Sequence, residues 1–146
     1  MDVKRILVIL AFVLTAVVLV GAYVSDRPDA VEAISQKWGR STHSDSSATA
    51  FTNWDEEDPP AIPVGCAKCH STYGFLDFLG EDGTEAGVVD APARTGSVIL
   101  CNACHNEAAH EMTQVTFPSG DTITEVGKEA VCMQCHQGTR SNTQVN

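Results

Sequence analysis

Residues 6–24 carry no charged side chain, and Lys4 and Arg5 stand immediately before them. A basic start followed by an apolar stretch is the pattern of an export signal or a membrane anchor. Val20-Gly21-Ala22 offers a small-residue cleavage site. The run exceeds the roughly 7–15 apolar residues of a signal peptide and, at about 1.5 Å per helical residue, nearly spans a bilayer core. This favours an uncleaved anchor over residues 1–24. The positive-inside rule then places the rest of the chain on the outer side of the cytoplasmic membrane. Cleavage would leave it periplasmic or extracellular. No Cys lies near the end of the run, which argues against a lipoprotein.

Beyond the run, the pattern predicts short elements. Asp29 and Glu32 form a variant capping box at the head of a linker helix within residues 25–40, with Val31, Ile34 and Trp38 on one face and Gly39 at its C′ position. This helix either continues from the anchor past Arg27-Pro28 or packs on the domain that follows. A second helix over residues 45–54 turns Ala50, Phe51 and Trp54 inward. Residues 73–79 are apolar, and residues 98–100 form a short extended segment. Residues 115–117 and 122–124 flank Pro118-Ser119-Gly120-Asp121, the signature of a small hairpin. A last helix is expected over residues 127–137. Two acidic loops, 55–60 and 81–85, read as solvated turns, and the second lacks the full calcium-loop pattern. The polar stretch 138–146 is either a tail or the point where a longer chain continues.

Three copies of one motif interrupt this pattern: Cys66-Ala67-Lys68-Cys69-His70, Cys101-Asn102-Ala103-Cys104-His105 and Cys132-Met133-Gln134-Cys135-His136. They consume all six cysteines. Cys-x-x-Cys-His is the attachment sequence of c-type haem. Two thiols one helical turn apart reach the two vinyl groups of a porphyrin, and the following histidine becomes the proximal iron ligand. Structural zinc also uses Cys-x-x-Cys pairs, but it needs four ligands and no His after each pair, and three pairs fit tetrahedral sites poorly. A redox dithiol explains one pair better than three. The expectation is therefore three covalent haems, with His70, His105 and His136 as proximal ligands. The text between the motifs does not repeat, so they are sites on one domain rather than solenoid units.

At this length, roughly forty residues remain per haem beyond the N-terminal segment, too few to wrap each in its own apolar pocket. The expected fold is a mainly irregular and α-helical small domain over residues 41–146, cored by haem, with short helices and one small β-hairpin. Without haem the chain should be largely unfolded. The formal charge is -10. Leaving out Asp2, Lys4 and Arg5 gives 18 acids against 7 bases from Ser25 onward, or -11. Such a surface disfavours nucleic acid and anionic lipid and suits cationic partners, although simple solubility explains it equally well.

On its three motifs the chain resembles the multihaem c-type cytochromes of bacterial and archaeal cell envelopes. The resemblance implies electron transfer, attachment of haem outside the cytoplasm, and axial ligands shared between closely packed haems. Three haems have six axial positions, and the chain holds five histidines. His43 and His110 are the candidate distal ligands, His43 for the first or second haem and His110 for a neighbour of its own. Met112 is the candidate thioether for the last position. The alternatives there are Lys128, a histidine from another subunit or a missing segment, or an open iron. The reading is a non-enzymatic relay between a membrane or periplasmic donor and an external acceptor, with redox proteins, cationic or membrane-bound, as partners. A homo-oligomer sharing haem ligands is one variant. Two other functions compete. One is a membrane-anchored quinol dehydrogenase subunit, although that family usually carries four such motifs. The other is a haem enzyme with one open iron.

Overall fold

The computed structural model describes residues 2–145, with backbone alone for residues 20–29, 143 and 144. It divides into two compact units, Met1–Ser41 and Thr42–Asn146. The first is built on one helix, α1 (Val3–Trp38). Asp2 caps it by accepting from the Lys4 N–H at 3.3 Å. Asp29 therefore lies inside a continuous helix and does not begin a second one. A cap contributes about 1 kcal/mol, and extending an existing helix avoids the cost of a new nucleus. Gly39 ends α1 in a right-handed conformation, φ -62°, rather than the left-handed one expected of a C′ glycine. Val31 and Ile34 are exposed. The expected anchor, residues 1–24, lies partly outside the described residues. Among those described, no helix is long and apolar enough to cross a membrane.

The second unit is a small mixed α/β assembly of short helices and two small sheets. A 3-10 turn (Thr42–Ser44) and α2 (Thr49–Thr52) lead to β1 (Ala61–Ile62). Then come α3 (Val64–His70), α4 (Thr72–Phe78), β2 (Ala93–Arg94), α5 (Cys101–Cys104) and α6 (Glu107–Glu111). The hairpin β3 (Gln114–Thr116) and β4 (Thr122–Thr124) precedes α7 (Glu129–His136) and α8 (Asn142–Val145). The hairpin falls where its Pro/Gly turn predicted, with β3 one residue earlier. Its register pairs Val115 with Ile123, and Gly120 takes φ 94° in the loop, a left-handed conformation that favours glycine. The second sheet was not expected. Ile62 pairs with Ala93, and strands of two residues carry no readable alternation.

Two apolar clusters form the core. Phe75, Leu79, Ala103, Ala109 and Val131 join α4, α5, α6 and α7. Ile62, Ala67, Val89 and Ala93 pack under α3, and Ile62 and Ala67 are fully buried. The tightest junction is between α3 and α4. Ser71 ends the first helix and caps the second, accepting from the Gly74 N–H at 2.8 Å. Gly74 sits so close to Ala67 that a Cβ there would lie 2.4 Å from the Ala67 carbonyl.

Candidate functional site

Each motif's cysteine pair occupies a short helix: α3 carries the first, α5 the second and α7 the third, with His105 just past the end of α5. The core clusters bring the three helices around one largely apolar cavity of about 370 Å³. That volume lies within the range of about 300–1,000 Å³ typical of ligand pockets. The motifs contribute Cys69 and His70, Cys104, and Cys132, Cys135 and His136 to its wall. His43 joins them from the 3-10 turn, and Ala50 and Phe51 from α2. The inward placement expected of Phe51 holds, since it is buried, and Trp54 is half-buried against the α3 cluster. The helix around them is only Thr49–Thr52, shorter than the 45–54 expected.

His70 is held in a defined tautomer. Its Nδ1 lies 2.7 Å from the Ala50 carbonyl oxygen. A carbonyl only accepts, so Nδ1 carries a proton, and in the neutral ring Nε2 keeps its lone pair. Metal-bound histidines are oriented by such a bond to a backbone carbonyl. Trp54 adds an edge-on contact, with ring centroids 5.3 Å apart. His43 and His136 approach each other to 6.0 Å between centroids, tilted by 56°.

The thiols of different motifs also meet. The Cys135 thiol donates to the Lys68 carbonyl oxygen at 3.6 Å, which brings it beside Cys69. The Cys135 side chain first, then Lys68, His70 and His136, lower Cys69 to about 6. Cys135 is pushed up in turn, first by the neighbouring Cys69 and then by burial. Partial desolvation, with Cys132 and Cys101 close by, raises Cys104. Sulfurs of all three motifs therefore share one neighbourhood.

Other expected residues lie elsewhere. Cys66 packs against the cluster under α3. Cys101, His105 and His110 are exposed, and the cavity wall does not include them. Met112 is half-buried against the α4–α7 cluster, and its Sδ accepts from the Gln134 side-chain amide at 3.4 Å. Lys128 is exposed at the start of α7. Among the described residues no group of three or more His, Cys, Asp or Glu side chains could hold a metal ion by itself. The acidic loop is organised internally: Asp82 accepts from the Thr84 N–H and hydroxyl at 3.1 and 2.8 Å, which holds its carboxyl below the usual range.

Thr72 was not singled out in the sequence, yet it fixes the approach to the second motif. Fully buried, it donates to the Val98 carbonyl at 2.5 Å and accepts from the Leu100 N–H at 2.8 Å. Ser97 accepts from the Thr72 N–H at 3.3 Å. On the other side the Ile99 N–H donates to the His43 carbonyl at 3.0 Å. The segment 98–100 is thus clamped between the residue two after His70 and the turn that bears His43. The one signal in the sequence was a Ser-Thr pair directly after a motif histidine.

Comparison with known proteins gives no match: no family model, no curated protein and no solved structure is similar to this chain.

Proposed function

We propose that the chain is an electron-transfer protein carrying three covalently bound c-type haems, attached at Cys66 and Cys69, Cys101 and Cys104, and Cys132 and Cys135. His70, His105 and His136 are the proximal ligands. The observation that carries the reading is the convergence of sulfur and imidazole from these motifs on one apolar cavity. The donor set suits haem: paired thiols for thioether bonds, and in His70 an imidazole whose free Nε2 is the ligating nitrogen. A haem supplies reversible one-electron chemistry when bound. The chain's own tasks are to orient the imidazoles, exclude water with Phe51, Phe75, Ile99 and Val131, and keep the cofactors within electron-transfer distance of one another. The expected membrane-side or exported location, the cationic or membrane-bound redox partners and the haem-sharing homo-oligomer belong to the same proposal.

A haem enzyme with one open iron is the second reading. Five histidines serve six axial positions, and the Met112 sulfur is occupied by Gln134 and packed in the core.

The test is mass spectrometry of mature protein made in a host that attaches haem c, followed by a redox titration. Three haem additions and reversible one-electron steps are expected. A mass without haem, or with zinc in its place, ends the proposal. Catalytic turnover of peroxide or a small oxyanion by the reduced protein decides for the second reading.

A further inference from the structure

Resting on the haem reading above, we infer that His43 and His136 are the two axial ligands of one iron, that of the haem on Cys132 and Cys135. The first observation is distance. Imidazole nitrogen binds first-row metal ions at about 2.0–2.1 Å, and a ring nitrogen lies about 1.1 Å from its centroid, so two imidazoles on opposite sides of one ion have centroids about 6.3 Å apart. His43 and His136 stand at 6.0 Å. Axial imidazoles turn about their metal–nitrogen bonds, so a tilt of 56° fits as well as any other.

Ordinary ring contacts also fall at about 4.5–7 Å, so distance alone does not decide. The cavity wall supplies the second observation. Cys132, Cys135 and His136, which make up the third motif's attachment set, all line the cavity, and His43 lines it with them. Both residues are exposed overall, so burial gives little reason to hold them together. The third observation is that His43 is tied down. Its carbonyl accepts from the Ile99 N–H at 3.0 Å, and Ile99 belongs to the segment that Thr72 clamps. Two residues on, Asp45 accepts from the Ser47 N–H at 3.0 Å and its hydroxyl at 2.6 Å, closing the turn. A ligand distant in sequence needs such an anchor, because an untethered imidazole loses entropy on binding.

The pairing assigns His43 to the third haem, not to the first or second as the sequence suggested. Of the five histidines, His110 alone then remains as a distal imidazole for those two.

The experiment uses holo-protein, with the haem count of every variant fixed by mass. His43→Ala should keep three haems, convert one from low to high spin, and bind one more carbon monoxide per chain than wild type when reduced. Added imidazole should restore the low-spin signal. His43→Met, which keeps a ligand, should raise the potential of one haem. In a Cys132→Ala/Cys135→Ala background, which removes the third haem, His43→Ala should change nothing further. Should that background not accumulate, the double variant His43→Met/His136→Met replaces it, and both changes should fall on the same haem. Unaltered spectra in three-haem His43→Ala overturn the inference. So does a spin change that persists in the two-haem background, or two separately shifted haems in the double variant. If wild type itself carries no haem, the functional proposal has failed, a result distinct from any of these.

Discussion

Replacing Gly74 by Ala pits two effects of known size against each other. Ala is favoured over Gly within a helix by about 1 kcal/mol. Against this, the new Cβ would lie 2.4 Å from the carbonyl carbon and oxygen of Ala67 and 2.6 Å from its Cβ. Ordinary carbon contacts begin near 3.5 Å, so α3 and α4 must separate by about 1 Å. The obstacle is buried backbone, which has no alternative rotamer. Overpacking of this kind costs about 1–3 kcal/mol, and the backbone contact puts it at the upper end. The net expectation is destabilisation by about 2 kcal/mol. Gly65 is the control. It lies in α3, and a Cβ there meets no atom within 4 Å. Gly65→Ala should stabilise by about 0.4–1 kcal/mol through the unfolded chain. Urea unfolding of the holo-protein, followed by far-UV circular dichroism, measures both. With a slope of about 1–3 kcal/mol per molar urea, Gly74→Ala should lower the midpoint by about 1 M and Gly65→Ala should raise it slightly. A Gly74→Ala midpoint at or above wild type would refute the close-approach argument. So would an equal loss at Gly65, which would mean that helix identity rather than space is being measured.

Thr72→Val keeps the shape but leaves the Leu100 N–H without its buried partner, while the Val98 carbonyl keeps the Ser97 hydroxyl at 2.9 Å. At about 1–3 kcal/mol for an unsatisfied group it should cost about 1–3 kcal/mol in urea unfolding, and a loss below about 0.5 kcal/mol would show that the clamp is dispensable. In a haem-free chain that keeps this fold rather than unfolding, Cys69 is the thiol lowered to about 6, so at pH 7 it should be alkylated first, with a rate that rises as pH passes through that value. Cys135→Ala removes the neighbouring thiol that lowers it and should move this rise to higher pH, whereas uniform reactivity of all six thiols would show that the haem-free chain does not hold this packing. Met112→Leu replaces a packed side chain by one of similar volume and should cost less than about 1.5 kcal/mol. The haem spectrum should not change, and loss of a low-spin signal would instead make Met112 an iron ligand.

The motifs were legible because they are local. Two thiols and an imidazole fall within five consecutive residues, and all three cysteine pairs do lie on short helices. The hairpin was legible for the same reason, since a Pro/Gly turn between two β-prone triplets acts over a few bonds. Inward placement of Phe51 followed from its position in a short amphipathic segment. The continuity of α1 was not legible, because a local cap signal at Asp29 is weaker than the cooperativity of a helix already formed. Neither was the sheet between Ile62 and Ala93, whose strands are too short to show a period. The largest gap concerned partners. His43 beside His136, Cys69 against Cys135, and Thr72 bridging Val98 and Leu100 are all meetings of residues far apart in sequence. A list of donors states how many ligands exist but not which of them face each other. That choice is made when the clusters around Phe75 and Ile62 close and fix the directions of α3, α5 and α7. Packing is a property of the whole unit, and no window of sequence contains it.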